Sequence, residues 1–403
     1  MKAFLNKQYR LPFVLITSLF FLWGAAHAIL DVLNKHFQDI MQISRTHSSL
    51  VQVMFYLGYF VMAIPAGLLI DRRGYRKGVV TGLLLYGIGA LLFWPGARLM
   101  SFELFLFSLF VIACGLVFLE TAANPYVTEM GCHDTAPARL NLAQSFNGLG
   151  CICGPLFGGM LLFSDDGKNH IALPYIVMGI TALAVAIMFS RVKLPEIPHN
   201  TPAATQPHAK RKPLQQLLHA PLFMFGLLAL LSYEVAEISI NSFFINYVTD
   251  EGWMSAYHAA IALSFGGLGL FMLGRVAGSF IMQHISGDTI LRICALGTFT
   301  TTLLVVLNLG TISLFALVLI YVFESIMFPT IFALSLHGLG PLTKRASSLL
   351  MMTPVGGAIG PLLMGTIADR YNMSIAFVIP LFGFAVVLCY AFFVKKHSKG
   401  LVN

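Results

Sequence analysis

Apolar runs long enough to cross a membrane dominate this sequence. A transmembrane helix needs about 20 mostly apolar residues. Of the 403 residues, 57% are hydrophobic and only 10% are charged, against about 25% charged in a typical soluble domain. The sequence therefore predicts an all-α membrane protein with twelve transmembrane helices. The predicted spans are residues 11–33, 47–70, 77–97, 101–128, 139–163, 171–192, 220–248, 256–282, 289–308, 311–337, 346–367 and 373–394.

The distribution of basic residues predicts the topology. With a cytoplasmic N-terminus, the cytoplasmic segments hold 20 of the 25 Lys and Arg residues. This bias places both termini in the cytoplasm of a multi-pass inner-membrane protein. The net charge of +8 thus reports topology and does not indicate a nucleic-acid partner. The first run lacks a small-residue cleavage site, so we expect it to be a helix rather than a signal peptide.

The spans divide into two halves. Residues 195–213 form a long hydrophilic interruption, so the sequence predicts an N-terminal six-helix bundle (1–193), a cytoplasmic linker (194–215) and a C-terminal six-helix bundle (216–403). A repeat crosses this linker. Gly154 recurs as Gly360 in the same Gly-Pro-Leu sequence, and Pro125 recurs as Pro329. We therefore expect two pseudo-symmetric bundles.

Carboxylates inside the spans follow the same shift. Asp31 maps to Glu237 with an offset of 206, and Glu120 maps to Glu324 with an offset of 204. A carboxylate facing lipid is costly, so we expect these acids to face protein or a water-filled cavity. No Lys or Arg is obviously embedded beside them to neutralise them. Unpaired acids in a low dielectric become proton acceptors, which makes Asp31 and Glu120 candidates for proton coupling.

The first span carries one polar face. Steps of four, four, three and four residues place Trp23, His27, Asp31, Asn34 and Gln38 on the same side of a helix. His27 is a candidate proton relay for Asp31, and a packed neutral histidine is an equally good interpretation. The alternative for Asp31 is a capping role at the periplasmic mouth.

Further polar residues in other spans are suited to bind hydroxyl groups. Carboxylates and amides can form bidentate hydrogen bonds to vicinal hydroxyls, and an aromatic ring can cover an apolar face. Some of them, Asn141 above all, can instead link helices structurally. With Trp23, Asn34 and Gln38, the binding candidates are Asn124, Gln144, Asn147, Glu237, Asn241 and Glu324.

The loop after the second span contains a recognisable motif. Residues 67–77 resemble the signature G-x-L-x-D-R-x-G-R-[RK]-[RK] of the major facilitator superfamily, with Tyr75 replacing one Arg. We expect it to act as a conformational latch in which the carboxylate accepts hydrogen bonds from a neighbouring helix N-terminus. Ordinary positive-inside charges are the alternative. The latch residues are Gly67, Asp71, Arg72, Gly74 and Arg76.

Both halves also resemble one family within that superfamily. Residues 21–38, 120–125, 139–147, 237–243 and 328–332 are similar to the fucose–galactose–glucose permeases, which are proton-coupled sugar symporters. The resemblance implies import of a monosaccharide by alternating access, with the acids that match Asp31 and Glu120 in proton coupling and sugar binding.

The resulting hypothesis is a proton-coupled monosaccharide symporter, not an enzyme. No Ser–His–Asp order or metal-spaced cluster is recognisable, and no cofactor or metal is expected. The expected partners are a sugar and the lipid bilayer, with the chain as a monomer. Sodium coupling stays open because carboxylate and amide oxygens also bind that ion. A sugar sensor on a transporter fold is the other alternative.

Overall fold

A computed structural model describes residues 9–130, 136–163, 171–191, 213–282, 284–336 and 349–398, with residues 339, 342 and 346. The described residues are almost entirely helical and contain no β-strand. The long helices are α1 (Arg10–Met41), α2 (Leu50–Arg73), α3 (Tyr75–Leu91), α4 (Phe102–Glu129), α5 (Ala136–Leu162), α6 (Leu173–Arg191), α7 (Pro221–Asp250), α8 (Leu270–Ile281), α9 (Gly287–Val306), α10 (Thr311–Glu324), α11 (Gly356–Arg370) and α12 (Val378–Ser398).

The predicted all-α membrane fold is confirmed. Within the described residues, eleven helical segments are long and apolar enough to cross a membrane. The span predicted at 346–367 corresponds to α11, which has 15 residues and follows a short 3₁₀ turn at Thr353–Val355. A π-helical segment, Leu263–Gly269, precedes α8, and the sequence pattern gave no sign of it.

The chain divides into two compact units. Unit 1 comprises Met1–Gln42, Leu50–Thr201 and Ala256–Ser264, and unit 2 comprises Ile43–Ser49, Pro202–Ser255 and Phe265–Asn403. In unit 1, α5 packs along α1 while α4 packs against α2 and α3. In unit 2, α7 packs against α11 and α12, and α9 packs against α10. The predicted linker lies largely outside the described residues, which omit 192–212.

Glycines let α5 approach the backbone of α1 in unit 1. A Cβ atom at Gly150 would lie 2.8 Å from the amide nitrogen of Ala25, and one at Gly154 would lie 2.8 Å from the Ala25 carbonyl oxygen. Four-residue spacing of small residues is a common way to bring membrane helices together when no hydrophobic effect drives them. The glycines therefore set the distance between these two helices.

Unit 2 repeats this packing with a different register. Gly356 in α11 meets Leu231 and Val235 of α7 as Gly150 in α5 meets Phe21 and Ala25 of α1. The glycines keep the offset of 206 between α5 and α11, whereas the residues that they meet are 210 apart (231 minus 21, and 235 minus 25).

The pairing of Asp31 with Glu237 is consequently wrong by four residues. At an offset of 210, the counterpart of Asp31 in α7 is Asn241, and Glu237 corresponds to His27. Four residues make about one helical turn, so both registers put the same face inward. Sequence periodicity alone could not distinguish them.

The two prolines of the repeat have different local effects. α4 stays helical through Pro125 as far as Glu129. α10 ends at Glu324, and a new helix, Met327–Ser335, begins two residues before Pro329. Because Pro329 has no N–H, it cannot bond the Ser325 carbonyl oxygen four residues earlier. The break in the tenth span lies at that carbonyl, which accepts a hydrogen bond from Arg275 Nε instead.

Candidate functional site

Asp31 lies inside unit 1 and faces α2. Its side chain is buried, with 6% of its surface exposed. Gln52 on α2 donates from Nε2 to Asp31 Oδ1 at 3.2 Å. This carboxylate therefore faces protein rather than lipid, as expected for an acid on an apolar helix.

His27 contacts α2 one turn away from Asp31. Its Nε2 lies 2.6 Å from the hydroxyl of Tyr56, with donor and acceptor roles that depend on the tautomer. The imidazole ring also makes edge-on contacts with Phe55 and Tyr59, at centroid distances of 5.3 and 6.4 Å. His27 is thus held in an aromatic pocket by one strong polar contact.

Glu120 on α4 receives a hydrogen bond from α2 as well. The hydroxyl of Tyr59 donates to Glu120 Oε1 at 2.6 Å. This is the distance range of an O–H donor bound to a carboxylate. A neutral donor, not a fixed cation, therefore holds this acid.

One face of α2 supplies all three of these contacts. Gln52, Tyr56 and Tyr59 are spaced by four and three residues, so they lie on the same side of the helix. Sequence reasoning missed them because tyrosines within an apolar run resemble core residues. Their helical spacing was the available signal. The three predicted coupling residues, Asp31, His27 and Glu120, thus all contact the same face of α2.

The amides of α4 and α5 form a second group in unit 1. Gln144 Nε2 donates to Asn124 Oδ1 at 3.4 Å, and both side chains are half-buried. Asn147 Nδ2 donates to the carbonyl oxygen of Phe20 at 3.3 Å, and Cys151 Sγ lies 3.7 Å from Asn147 Oδ1. Asn147 therefore links α5 to α1. The side chain of Asn141 lies outside the described residues.

The remaining predicted residues of α1 are mostly enclosed within unit 1. Trp23 is 5% exposed, and its ring centroid lies 4.2 Å from that of Phe20. Asn34 is fully buried and accepts a hydrogen bond from half-buried Gln38 at 3.4 Å. Of these three side chains, Gln38 is the most accessible.

Acids of α7 and α10 gather in unit 2. Glu237 and Asn241 are half-buried, and Glu234 is 7% exposed. Glu324 has no exposed surface, and neither carboxyl oxygen has a hydrogen-bond partner among the described residues. The Oδ1 atom of Asn241 is likewise buried without one.

Arg275 on α8 corrects the expectation that no basic residue is embedded beside these acids. It interacts electrostatically with Glu237. Its Nε donates to the Ser325 carbonyl oxygen at 3.1 Å, and its guanidinium carbon lies 4.6 Å from the Phe271 ring centre. Arg275 is one of the 20 basic residues that the topology prediction assigns to cytoplasmic segments, and that assignment concealed this role.

The predicted latch motif makes contacts within unit 1. Gly74 joins α2 to α3 with a φ of 82°, a conformation that favours glycine. Arg76 donates from Nε to the Phe189 carbonyl oxygen at 3.2 Å and from its guanidinium to that of Ser190. It thereby satisfies carbonyls at the C-terminal end of α6.

The other motif residues show less. Arg72 is exposed, and a Cβ atom at Gly67 would meet nothing within 4 Å. The side chain of Asp71 lies outside the described residues, so the latch stays a prediction. No group of three or more His, Cys, Asp or Glu side chains that could hold a metal ion occurs in the described part of the chain.

Comparison with known proteins places this architecture in a family. The family model described as Major Facilitator Superfamily matches residues 13–353. The chain is 36% identical over 398 residues to a glucose/galactose transporter of Brucella abortus, covering 96% of this chain and 93% of the relative. It is 35% identical over 412 residues to the L-fucose-proton symporter of Escherichia coli, covering 96% and 94%.

Solved structures agree. The crystal structure of FucP, a Major Facilitator Superfamily transporter in the outward conformation, matches with a TM-score of 0.69 at 35% identity, over 96% of this chain and 99% of that one. The family model covers most of the chain, and the relatives and the solved structure each cover 96% of it. This chain belongs to the Major Facilitator Superfamily, in the group that contains these sugar transporters.

Proposed function

We propose that the protein is a proton-coupled symporter that imports a monosaccharide across the inner membrane by alternating access, with both termini in the cytoplasm. The cargo is a hexose or hexose derivative such as glucose, galactose, mannose, fucose or N-acetylglucosamine. The names of the relatives support this substrate class. The observation that carries the proposal is that two acids on membrane helices, Asp31 and Glu120, take hydrogen bonds from the neutral side chains Gln52 and Tyr59.

Neutral donors suit acids that must gain and lose a proton. A fixed cation would hold a carboxylate in its charged form, whereas an amide or hydroxyl stabilises it less strongly. Protonation of Asp31 or Glu120 removes a charge that is costly in an apolar interior. The loaded site can then be occluded. Release of the proton on the cytoplasmic side restores the acid to its ionised form. His27 belongs to the same face and would pass or stabilise that proton through Tyr56.

We assign sugar binding to the amide and acid groups predicted from the sequence. Gln38, Asn124, Gln144, Glu237 and Asn241 are half-buried, so part of each side chain remains accessible. Carboxylate and amide groups offer the paired donors and acceptors that vicinal hydroxyls require. Trp23, Asn34 and Asn147 would support them from more enclosed or already bonded positions.

Two alternatives make different predictions. Carboxylate and amide oxygens also bind sodium, so a sodium symporter would accumulate sugar only with an inward sodium gradient. A sugar sensor would bind its ligand without moving it. Replacement of external sodium by choline distinguishes a sodium symporter from a proton symporter. Counterflow of labelled sugar distinguishes a transporter from a sensor.

The test uses purified protein in proteoliposomes. A binding panel by tryptophan quenching with glucose, galactose, mannose, fucose and N-acetylglucosamine selects the sugar. An imposed inward proton gradient should then drive accumulation of that sugar in choline buffer. Accumulation that requires sodium, or binding without counterflow, would refute the proposal.

A further inference from the structure

The break in the tenth span leaves a buried acid without a hydrogen-bond partner in the part of the chain that the structure describes. α10 ends at Glu324, and the helix resumes at Met327. The Glu324 side chain has no exposed surface, and its Oε1 and Oε2 atoms have no hydrogen-bond partner among the described residues. An ionised carboxylate in that position would have lost its water without gaining a donor among the described residues. Such surroundings favour the neutral carboxylic acid over the carboxylate.

The polar groups nearest the break are engaged by its backbone. The hydroxyl of Tyr233 donates to the Glu324 carbonyl oxygen at 3.1 Å. Arg275 Nε donates to the Ser325 carbonyl oxygen. In an unbroken helix the N–H of residue 329 would bond this oxygen, but Pro329 has no N–H. Both are donors that could stabilise a carboxylate. A change in the break that frees either one would therefore favour the ionised form of Glu324.

The charges around Glu324 also oppose its ionisation. From α7, Glu237 interacts with it directly, and Glu234 interacts with Glu237. From α8, Arg275 interacts with Glu237. A charged Glu324 would therefore add a negative charge beside acids while the nearby cation is already engaged.

The helix α9 also packs against α10 and carries titratable groups. Its Asp288 and Arg292 form an ion pair with each other at 3.4 Å, and Cys294 is a buried thiol. The pairing of Asp288 with Arg292 leaves the acids of α7 as the main electrostatic influence on Glu324.

We propose that Glu324 in unit 2 binds a second proton, in addition to the proton that Asp31 or Glu120 binds in unit 1. When the break rearranges, the carboxylic acid loses its proton to water at half-buried Glu237, and the resulting carboxylate accepts a hydrogen bond from Tyr233 or Arg275. Rebinding of a proton restores the present arrangement. This inference rests on the proposed function, and it implies two protons moved for each sugar.

The test is the ratio of proton to sugar flux in proteoliposomes, measured with an internal pH dye and labelled sugar. The wild type should give a ratio near two. Glu324→Gln keeps the size of the side chain but cannot release a proton, so the ratio should fall twofold to one. Glu324→Asp should keep the wild-type ratio. The matched control is Glu251→Gln, which changes a glutamate that accepts hydrogen bonds from Asn308 and Ser374. This variant should also keep the wild-type ratio.

An unchanged ratio in Glu324→Gln would overturn the inference, because it would make Glu324 a permanently protonated structural group. A wild-type ratio of one would overturn it as well. No sugar-driven proton flux in the wild type would instead refute the proposed function. If Glu324→Gln fails to fold, infrared difference spectra between neutral and alkaline pH provide the test. A protonated-carboxyl band that differs between wild type and Glu324→Asp supports the inference, and identical bands contradict it.

Discussion

Among single residues, Tyr59 has the clearest influence on the chemistry of an acid. Its hydroxyl lies 2.6 Å from Glu120 Oε1 and interacts more strongly with a carboxylate than with a carboxylic acid. Tyr56, three residues earlier on the same helix, bonds His27 instead. The two tyrosines therefore form a natural pair for comparison, because they share a helix and differ in partner.

We predict that Tyr59→Phe extends proton-driven uptake to higher pH. Loss of the hydroxyl destabilises the ionised form of Glu120, so the acid keeps its proton to a higher pH. A hydrogen bond to a charged group contributes about 1.5–3 kcal/mol, which corresponds to a shift of about one to two pH units. The measurement is the pH profile of sugar uptake in proteoliposomes. Tyr56→Phe is the control and should shift the profile less. Coincident profiles for wild type and Tyr59→Phe would contradict the assignment.

At the scale of helices, glycine contacts set the packing in each unit. We predict that Gly154→Ala lowers the thermal unfolding temperature of the solubilised protein. Its methyl group would lie 2.8 Å from the Ala25 carbonyl oxygen, which cannot easily move away because it belongs to the backbone of α1. Overpacking of this kind costs about 1–3 kcal/mol. Gly67→Ala is the control, since a methyl group there meets nothing within 4 Å. Equal unfolding temperatures for Gly154→Ala and wild type would contradict this account.

A second helix-scale contact docks the segment Ile43–Ser49 onto α11 in unit 2. The backbone amides of Arg45 and Thr46 donate to the Asp369 carboxylate at 3.0 and 2.8 Å, and the Thr46 hydroxyl donates at 2.6 Å. The Arg45 guanidinium also pairs with Asp250. Asp369 lies beyond the predicted span 346–367. Partial burial opposes its ionisation, but these hydrogen bonds outweigh burial and lower the pKa of Asp369 below its usual value.

We predict that Asp369→Asn increases hydrogen exchange at the amides of Arg45 and Thr46 by about ten- to a hundredfold, because a hydrogen bond to a charge is worth about 1.5–3 kcal/mol. Asp288→Asn, which removes a separate ion pair in unit 2, should leave these amides protected. Because the pKa of Asp369 is lowered, the wild-type protection should persist down to its usual value near 4 and be lost only as the pH falls further. Unchanged exchange in Asp369→Asn would contradict the docking.

The helix scale also shows where sequence reasoning succeeds and where it stops. Period and apolar length predicted the spans and the inward face of α1, because both depend on local chemistry. They could not choose between registers one turn apart, so Asp31 was matched to Glu237 instead of Asn241. Nor could they predict that Tyr59 bonds Glu120 and that Arg275 interacts electrostatically with Glu237, since those interactions join helices distant in sequence.

In the molecule as a whole, each unit encloses its own polar group within an apolar body. In unit 1, Gln52 donates to Asp31 and Tyr59 donates to Glu120. In unit 2, Arg275 interacts with Glu237, and the Glu324 carboxyl oxygens have no hydrogen-bond partner in the described part of the chain. Ionisable groups inside a membrane protein are costly, and they therefore indicate a functional site. Transport by the proposed mechanism depends on the ability of the unit 1 acids to exchange protons.

Asp31→Asn tests this central claim most directly. Asparagine keeps the size of the side chain and can still accept the hydrogen bond from Gln52, but it cannot take up a proton. Accumulation driven by a proton gradient and counterflow of labelled sugar should be measured on the same proteoliposomes, with Asp39→Asn, which removes an ion pair to Lys35 on the same helix, as the control. We predict that Asp31→Asn abolishes accumulation and retains counterflow within about twofold, a change below 0.5 kcal/mol. Gradient-driven accumulation at the wild-type level in Asp31→Asn would contradict the account.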